Sequence, residues 1–178
     1  MDERERTDEG FLREAIALAV ANVHAGTGGP FGALVVRGGE VIGRGTNRVT
    51  SSHDPTAHAE VVAIREACAR LGTHALAGAV LYASCEPCPM CLAAAHWARI
   101  ERLCFAAGRE DAAAAGFDDE LLYRELQLPP GERTVPARQA LRAEGLEPFA
   151  AWAASPVSWA ASLPARCRAS VSRSTSRS

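Results

Sequence analysis

Two short clusters about thirty residues apart carry the chemistry of this sequence: His58-Ala59-Glu60, and Pro87-Cys88-Pro89-Met90-Cys91. One imidazole and two thiolates make a three-ligand, tetrahedral zinc site with one position left for water. Zinc lowers the pKa of such a water to about 7, which gives a hydrolytic nucleophile at neutral pH. Glu60, two residues from His58, cannot share its direction on a helix. It is expected over the water, taking its proton and passing it to a leaving group. A lone CxxC is often half of a structural site, and a lone HxE is mostly chance. The two together, each between an extended segment and a helix, are far more specific than either alone. A structural site would need a fourth protein ligand. Cys85 is the nearby candidate, and its place before the turn points it toward the core.

The elements around these clusters explain how they meet. Apolar residues at Leu12, Ile16, Ala19 and Val23 predict a helix over 9–25, ended by Gly26. Residues 32–37 (GALVVR) and 40–47 (EVIGRGTN) read as a hairpin turning at Gly38-Gly39. Asp54 or Thr56 is the expected cap of the next helix. That helix has an apolar stripe of Val61, Ile64, Cys68 and Leu71, and a stop at Gly72. Strands follow at 79–84 and 102–107, with a helix over 89–98 between them. Helical segments are expected near 119–127 and 147–154. TVPARQAL (134–141) is an edge strand or a loop, because Pro136 disfavours a central strand.

This order predicts an α/β fold, a three-layer α/β/α sandwich on a central mixed five-stranded sheet. His58 starts one helix, and Cys88 and Cys91 start another. Helix N-termini stabilise thiolates, the ligating form. Both metal-bearing ends should therefore share one edge of the sheet, where α/β folds place their clefts.

Composition narrows the class. With 178 residues and 48% hydrophobic content, one domain with a real core is expected. We assign it to residues 1–155, followed by a tail over 156–178 that is Ser- and Arg-rich and disordered from about 164. No run of about 18 apolar residues suggests a membrane span. The charged start MDERERTDEG is unlike a secretory signal, so a cytoplasmic location is expected. The net charge is −2, but the four basic residues of the last fifteen are all Arg, leaving about −6 on residues 1–163. Such a body is a poor partner for phosphate backbones, so no nucleic acid is expected and a small, weakly charged substrate fits better. Six cysteines in a chain this long and apolar, three of them within seven residues, suggest metal rather than disulfides.

GGPFGA (28–33), NRVTSSHDPTAHAEVVAIR (47–65), LYASCEPCPMCLAAAHWAR (81–99), DAAAAGFDDELLYRE (111–125) and, more weakly, PFAAW (148–152) carry a resemblance. Over residues 10–152 the sequence resembles the cytidine and deoxycytidylate deaminase superfamily and, within it, bacterial guanine deaminases. The resemblance implies one Zn2+ per subunit on His58, Cys88 and Cys91, with Glu60 as the proton shuttle. It implies that Asn47 hydrogen-bonds the base, that Phe31 stacks on it, and that the Ala59 backbone N–H meets a ring atom. Asp119 would hold the exocyclic amine and assist its departure. The reaction implied is hydrolysis of guanine to xanthine and ammonia. Deamination of cytosine, a nucleoside or an aminotriazine is the alternative, and a tRNA adenosine deaminase or a non-enzymatic zinc-stabilised module are further ones. Read from the residues alone, Asn47 can also be a turn residue, Asp119 a helix start, Phe31 core packing and Asp118 a plain cap. His96 and Trp97 read as packing or interface residues, and His24, His53 and His74 as solvated. The family also implies a homodimer that exchanges C-terminal segments, an aromatic residue from one subunit closing the other's pocket. After Trp152 this sequence departs from that pattern, and Trp159 is a candidate for a substitute lid.

Overall fold

The computed structural model describes residues 3–155. The expected tail beyond 155, with Trp159 and Cys167, lies outside the described residues. The chain divides into two compact units, residues 1–127 and 128–178.

The first unit is a sandwich. Its sheet contains β1 (Gly32–Arg37), β2 (Glu40–Thr46), β3 (Ala79–Cys85) and β4 (Arg102–Ala107), in the order β2-β1-β3-β4. β1 is antiparallel to β2 and to β3, while β3 and β4 are parallel. Parallel neighbours need a crossover, and α4 (Pro89–Trp97) supplies it. Alternation along β1 divides the core in two. Leu34 and Val36 pack with Tyr82 and Ala15 under α1 (Glu3–His24). Ala33 and Val35 pack on the other face with Ile42, Leu81 and the buried side of α3 (Ala59–Leu71).

Two helices approach the sheet more closely than large side chains allow. A Cβ on Gly32 would lie 2.3 Å from the Ala15 carbonyl oxygen, and one on Gly45 would lie 2.0 Å from that of Ala59. The contact faces are accordingly built on alanine. This displaces the apolar stripe expected on α1 and leaves that of α3 in place. α1 buries Ala15, Ala19 and Asn22, while Ile16 (40% exposed) and Val23 (48%) from the expected stripe face outward. α3 buries Ala59, Val61, Ala63, Ile64 and Ala67, with Cys68 and Leu71 only partly covered.

The helix ends follow local chemistry. α3 stops at Gly72 with φ 62°, whose N–H reaches Ala69 while Thr73 N–H reaches Cys68. Neither Asp54 nor Thr56 caps α3; His58 is the N-cap. Asp54 instead accepts from the Thr56 N–H and hydroxyl (2.8 and 2.7 Å) in the turn before it. After β4 come α5 (Arg109–Ala114) and α6 (Glu120–Gln127). A four-residue helix, α2 (Val49–Ser52), follows β2.

The described part of the second unit has two short 3-10 turns (Pro130–Glu132 and Glu144–Leu146) and the helix α7 (Glu147–Ala154). The expected fifth strand is absent among the described residues, where TVPARQAL forms a bend and irregular loop. Pro136 cannot donate to a ladder and the flanking side chains are exposed, so nothing there favours pairing. The described sheet therefore has four strands, not five. No described helix is long and apolar enough to cross a membrane.

Candidate active site

Both metal-site clusters sit at helix starts facing each other. His58 is the N-cap of α3 and Cys88 the N-cap of α4, each in extended conformation (ψ 153° and 168°). Pro89 occupies the first turn of α4, where its missing N–H costs nothing. Cys91, one turn on, is fully buried. The donor atoms of His58, Cys88 and Cys91 all lie within 4.8 Å of one another. His58 Nδ1 is 3.6 Å from Cys88 Sγ and 3.5 Å from Cys91 Sγ.

These distances test the donor set directly. Tetrahedral zinc with bonds of about 2.3 Å to sulfur and about 2.0 Å to nitrogen holds N and S about 3.5 Å apart. The electrostatics agree. A hydrogen bond from Cys91 is the largest effect holding the Cys88 thiol down, to about 4, and His58 assists. The neighbouring sulfur pushes Cys91 upward in turn, with burial adding to it. Two sulfurs so close both ionise only when a cation lies between them. The residues present fit a zinc ion, and the group comprises three donors. Cys85 is buried, as expected, but also borders the cavity described next, and its Sγ is directed at the Gly108 carbonyl (3.5 Å).

Above these ligands opens a cavity of about 260 Å³. Its wall includes Phe31, Asn47, His58, Glu60, Cys88 and Asp119, six of the eight residues singled out from the sequence. Cys91 lies beneath it. Ala59 is buried in the first turn of α3, where a backbone N–H has no intrahelical acceptor. Glu60 is only 7% exposed. Burial raises its pKa, and the Cys88 sulfur adds to the effect, against a lowering by His58. A carboxyl so placed suits proton transfer near neutral pH.

Asn47 is both a turn residue and a cavity residue. Its Oδ1 accepts from the Gly29 and Val49 N–H groups, each at 3.3 Å. Asn22 Nδ2 donates both to the Asn47 carbonyl and to that of Gly29, each at 2.9 Å, which ties the Gly28-Gly29 loop to the end of β2. With Oδ1 spent on the backbone, the amide NH2 is the group left to meet a ligand's acceptor. Phe31 is packed edge-on against Phe117, ring centres 5.0 Å apart at 87°. Asp118 accepts from the Glu120 N–H (2.9 Å) and starts α6. Asp119 faces the cavity instead, its pKa raised first by burial and then by Cys88, with Arg109 pulling the other way.

Sequence reasoning missed Glu86, Arg109, Ala112, Phe117 and Leu122 on this wall. The one available signal was Phe117 beside the Asp pair. Trp97 is 68% exposed and His96 exposed, so neither packs in the core. His24, His53 and His74 are exposed.

Comparison with known proteins agrees with this geometry. Residues 5–107 match the family pattern of the cytidine and deoxycytidylate deaminase zinc-binding region. The chain is 54% identical over 144 residues to guanine deaminase of Bacillus subtilis, covering 81% of this chain and 92% of that one. The X-ray structure of the Bacillus subtilis guanine deaminase superposes with a TM-score of 0.82 at 50% identity, covering 89% of this chain and 98% of that one. A tRNA-specific adenosine deaminase from Aquifex aeolicus is 50% identical over only 78 residues, 44% of this chain and 52% of its own. Ligand geometry, fold and sequence agree: the chain belongs to the zinc-dependent cytidine and deoxycytidylate deaminase family.

Proposed function

We propose that this protein hydrolyses guanine to xanthine and ammonia. The observation that carries the proposal is the joining of the His58, Cys88 and Cys91 group to a cavity that also presents Glu60, Asn47 and Asp119. Zinc, when bound by those three residues, supplies a water acidic enough to attack at neutral pH. Glu60 takes the proton of the attacking water and delivers it to the departing amine. The Asn47 amide donates to an acceptor on the ring, and the Ala59 N–H meets a second ring atom. Phe31, braced by Phe117, covers the ring face. Asp119 accepts the N–H bonds of the exocyclic amine and orients it for departure. Guanine suits this arrangement because its amine is flanked by ring nitrogens and a carboxylate is a good acceptor for both N–H bonds.

We assign this activity to residues 1–155 acting as one domain, in a cytoplasmic homodimer whose C-terminal segments exchange. Two features support guanine over a tRNA substrate. A guanine deaminase is matched at 54% identity over 81% of this chain and 92% of its own, against 40% over 66% and 73% for a tRNA-specific adenosine deaminase, and residues 1–163 carry a net negative charge. The test is ammonia release from a panel of guanine, cytosine, cytidine, an aminotriazine and a tRNA anticodon stem-loop. Guanine should be turned over fastest, and a preference for any other member refutes the assignment.

A further inference from the structure

After β4 the chain forms α5 and α6, joined by a loop ending Gly116-Phe117-Asp118-Asp119. That loop supplies Phe117 and Asp119 to the cavity wall. Arg109, the first residue of α5, is bound at both ends. Its backbone N–H donates to Glu86 Oε2 at 3.2 Å, and Glu86 stands two residues before the ligand Cys88. Its guanidinium lies over the Tyr123 ring, 4.9 Å from the centre, and 3.8 Å from the Glu120 carboxylate, both on α6. One residue thus joins the loop bearing a zinc ligand to the helix that Asp119 precedes. It also lines the cavity, where, among the described residues, Glu60, Glu86, Asp118 and Asp119 supply the carboxylates and Arg109 the only guanidinium.

We propose that Arg109 is a positioning residue, holding α6 so that Asp119 keeps a fixed place relative to the zinc ligands. What Asp119 meets there rests on the guanine reading; the bracing of α6 does not. The ring contact is the effective part. The Arg109–Glu120 pair is long and half exposed (45% and 51%), and such pairs contribute little. A cation over an aromatic face at a partly exposed site corresponds to about a two- to fivefold effect on an equilibrium.

The experiment combines steady-state kinetics on guanine with amide hydrogen exchange of residues 116–127. It uses zinc-loaded, full-length Arg109→Ala, Arg109→Lys, Tyr123→Leu and Glu120→Gln proteins. Arg109→Ala and Tyr123→Leu should each lower kcat about two- to fivefold with little change in KM, and speed exchange of the segment by a similar factor. Arg109→Lys should retain most of the wild-type behaviour, and Glu120→Gln nearly all of it. In an Asp119→Asn background, Arg109→Ala should cost nothing more, because the group it positions is already disabled. The proposal is overturned if Arg109→Ala leaves exchange over 116–127 unchanged, or if its kinetic penalty is undiminished in the Asp119→Asn background. Should the wild-type protein fail to deaminate guanine, the functional reading falls alone, and the exchange comparison still decides whether Arg109 braces α6.

Discussion

Replacing Gly45 by alanine adds one methyl group at a strand residue that neither lines the cavity nor offers a ligand, yet it should weaken the metal site. Gly45 lies on β2, directly under the start of α3. The added Cβ would sit 2.0 Å from the Ala59 carbonyl oxygen and 2.5 Å from the Ala63 N. Ordinary carbon–oxygen contact needs more than 3 Å, so helix and strand must separate by about 1 Å. Overpacking of this kind costs about 1–3 kcal/mol. The helix end that must move is the one carrying His58, while Cys88 and Cys91 stay with α4. Metal–ligand distances tolerate only about ±0.2 Å, so zinc affinity should fall at least about tenfold. Gly10 is the control. It sits in α1 with nothing within 4 Å of its hypothetical Cβ. Gly10→Ala should stabilise the helix by about 0.5–1 kcal/mol and leave zinc affinity alone. Urea unfolding of the zinc-loaded proteins and competition titration with a chromophoric chelator read both quantities. A Gly45→Ala protein as stable as wild type, with zinc affinity within twofold, would refute the close-approach argument.

Three further perturbations probe the site and the core. Glu60→Gln should retain one zinc per chain and lose about 10²- to 10⁴-fold in kcat, measured as ammonia release, because the proton shuttle is gone and the ligands are not. Asp119→Asn should lower kcat/KM for guanine about 10- to 100-fold, the scale of a lost hydrogen bond to a charged group. Its affinity for xanthine, which has no exocyclic amine, should change much less in equilibrium binding. Tyr82 is pushed up to about 12, first by burial and then by its hydrogen bond to Asp8. A phenol whose pKa is raised on folding holds its proton more tightly in the native state. Its contribution is therefore complete below the unfolded value of about 10 and lost as pH rises toward 12. Chemical denaturation across pH 9–12 should show that decline, and Tyr82→Phe should flatten it.

The metal ligands were legible because their spacing is local. Cys88 and Cys91 belong to one turn, Pro89 marks the helix start, and His58 opens the following element of its own cluster. The four strands and the Gly38-Gly39 turn were legible for the same reason. The inward face of α1 was not. The Val61 and Ile64 stripe of α3 is buried as read, but on α1 the sheet selects small residues, so burial follows Ala15 and Ala19, while larger residues such as Ile16 and Val23 point outward. Hydrophobicity alone reads that pattern with the wrong phase. The roles of Arg109 and Phe117 were equally hidden. Each depends on a partner in another element, Tyr123 or Phe31, that no local periodicity reveals. The expected fifth strand failed for a simpler reason, since β-compatible residues around Pro136 find no pairing partner among the described residues.

X-ray absorption at the zinc edge of the purified, zinc-loaded protein bears most directly on the central claim. The account predicts two sulfur neighbours at about 2.3 Å, one nitrogen and one further light-atom neighbour at about 2.0 Å, the last exchanging when a small inhibitory anion is added. A shell of four protein ligands that no added ligand disturbs would contradict it.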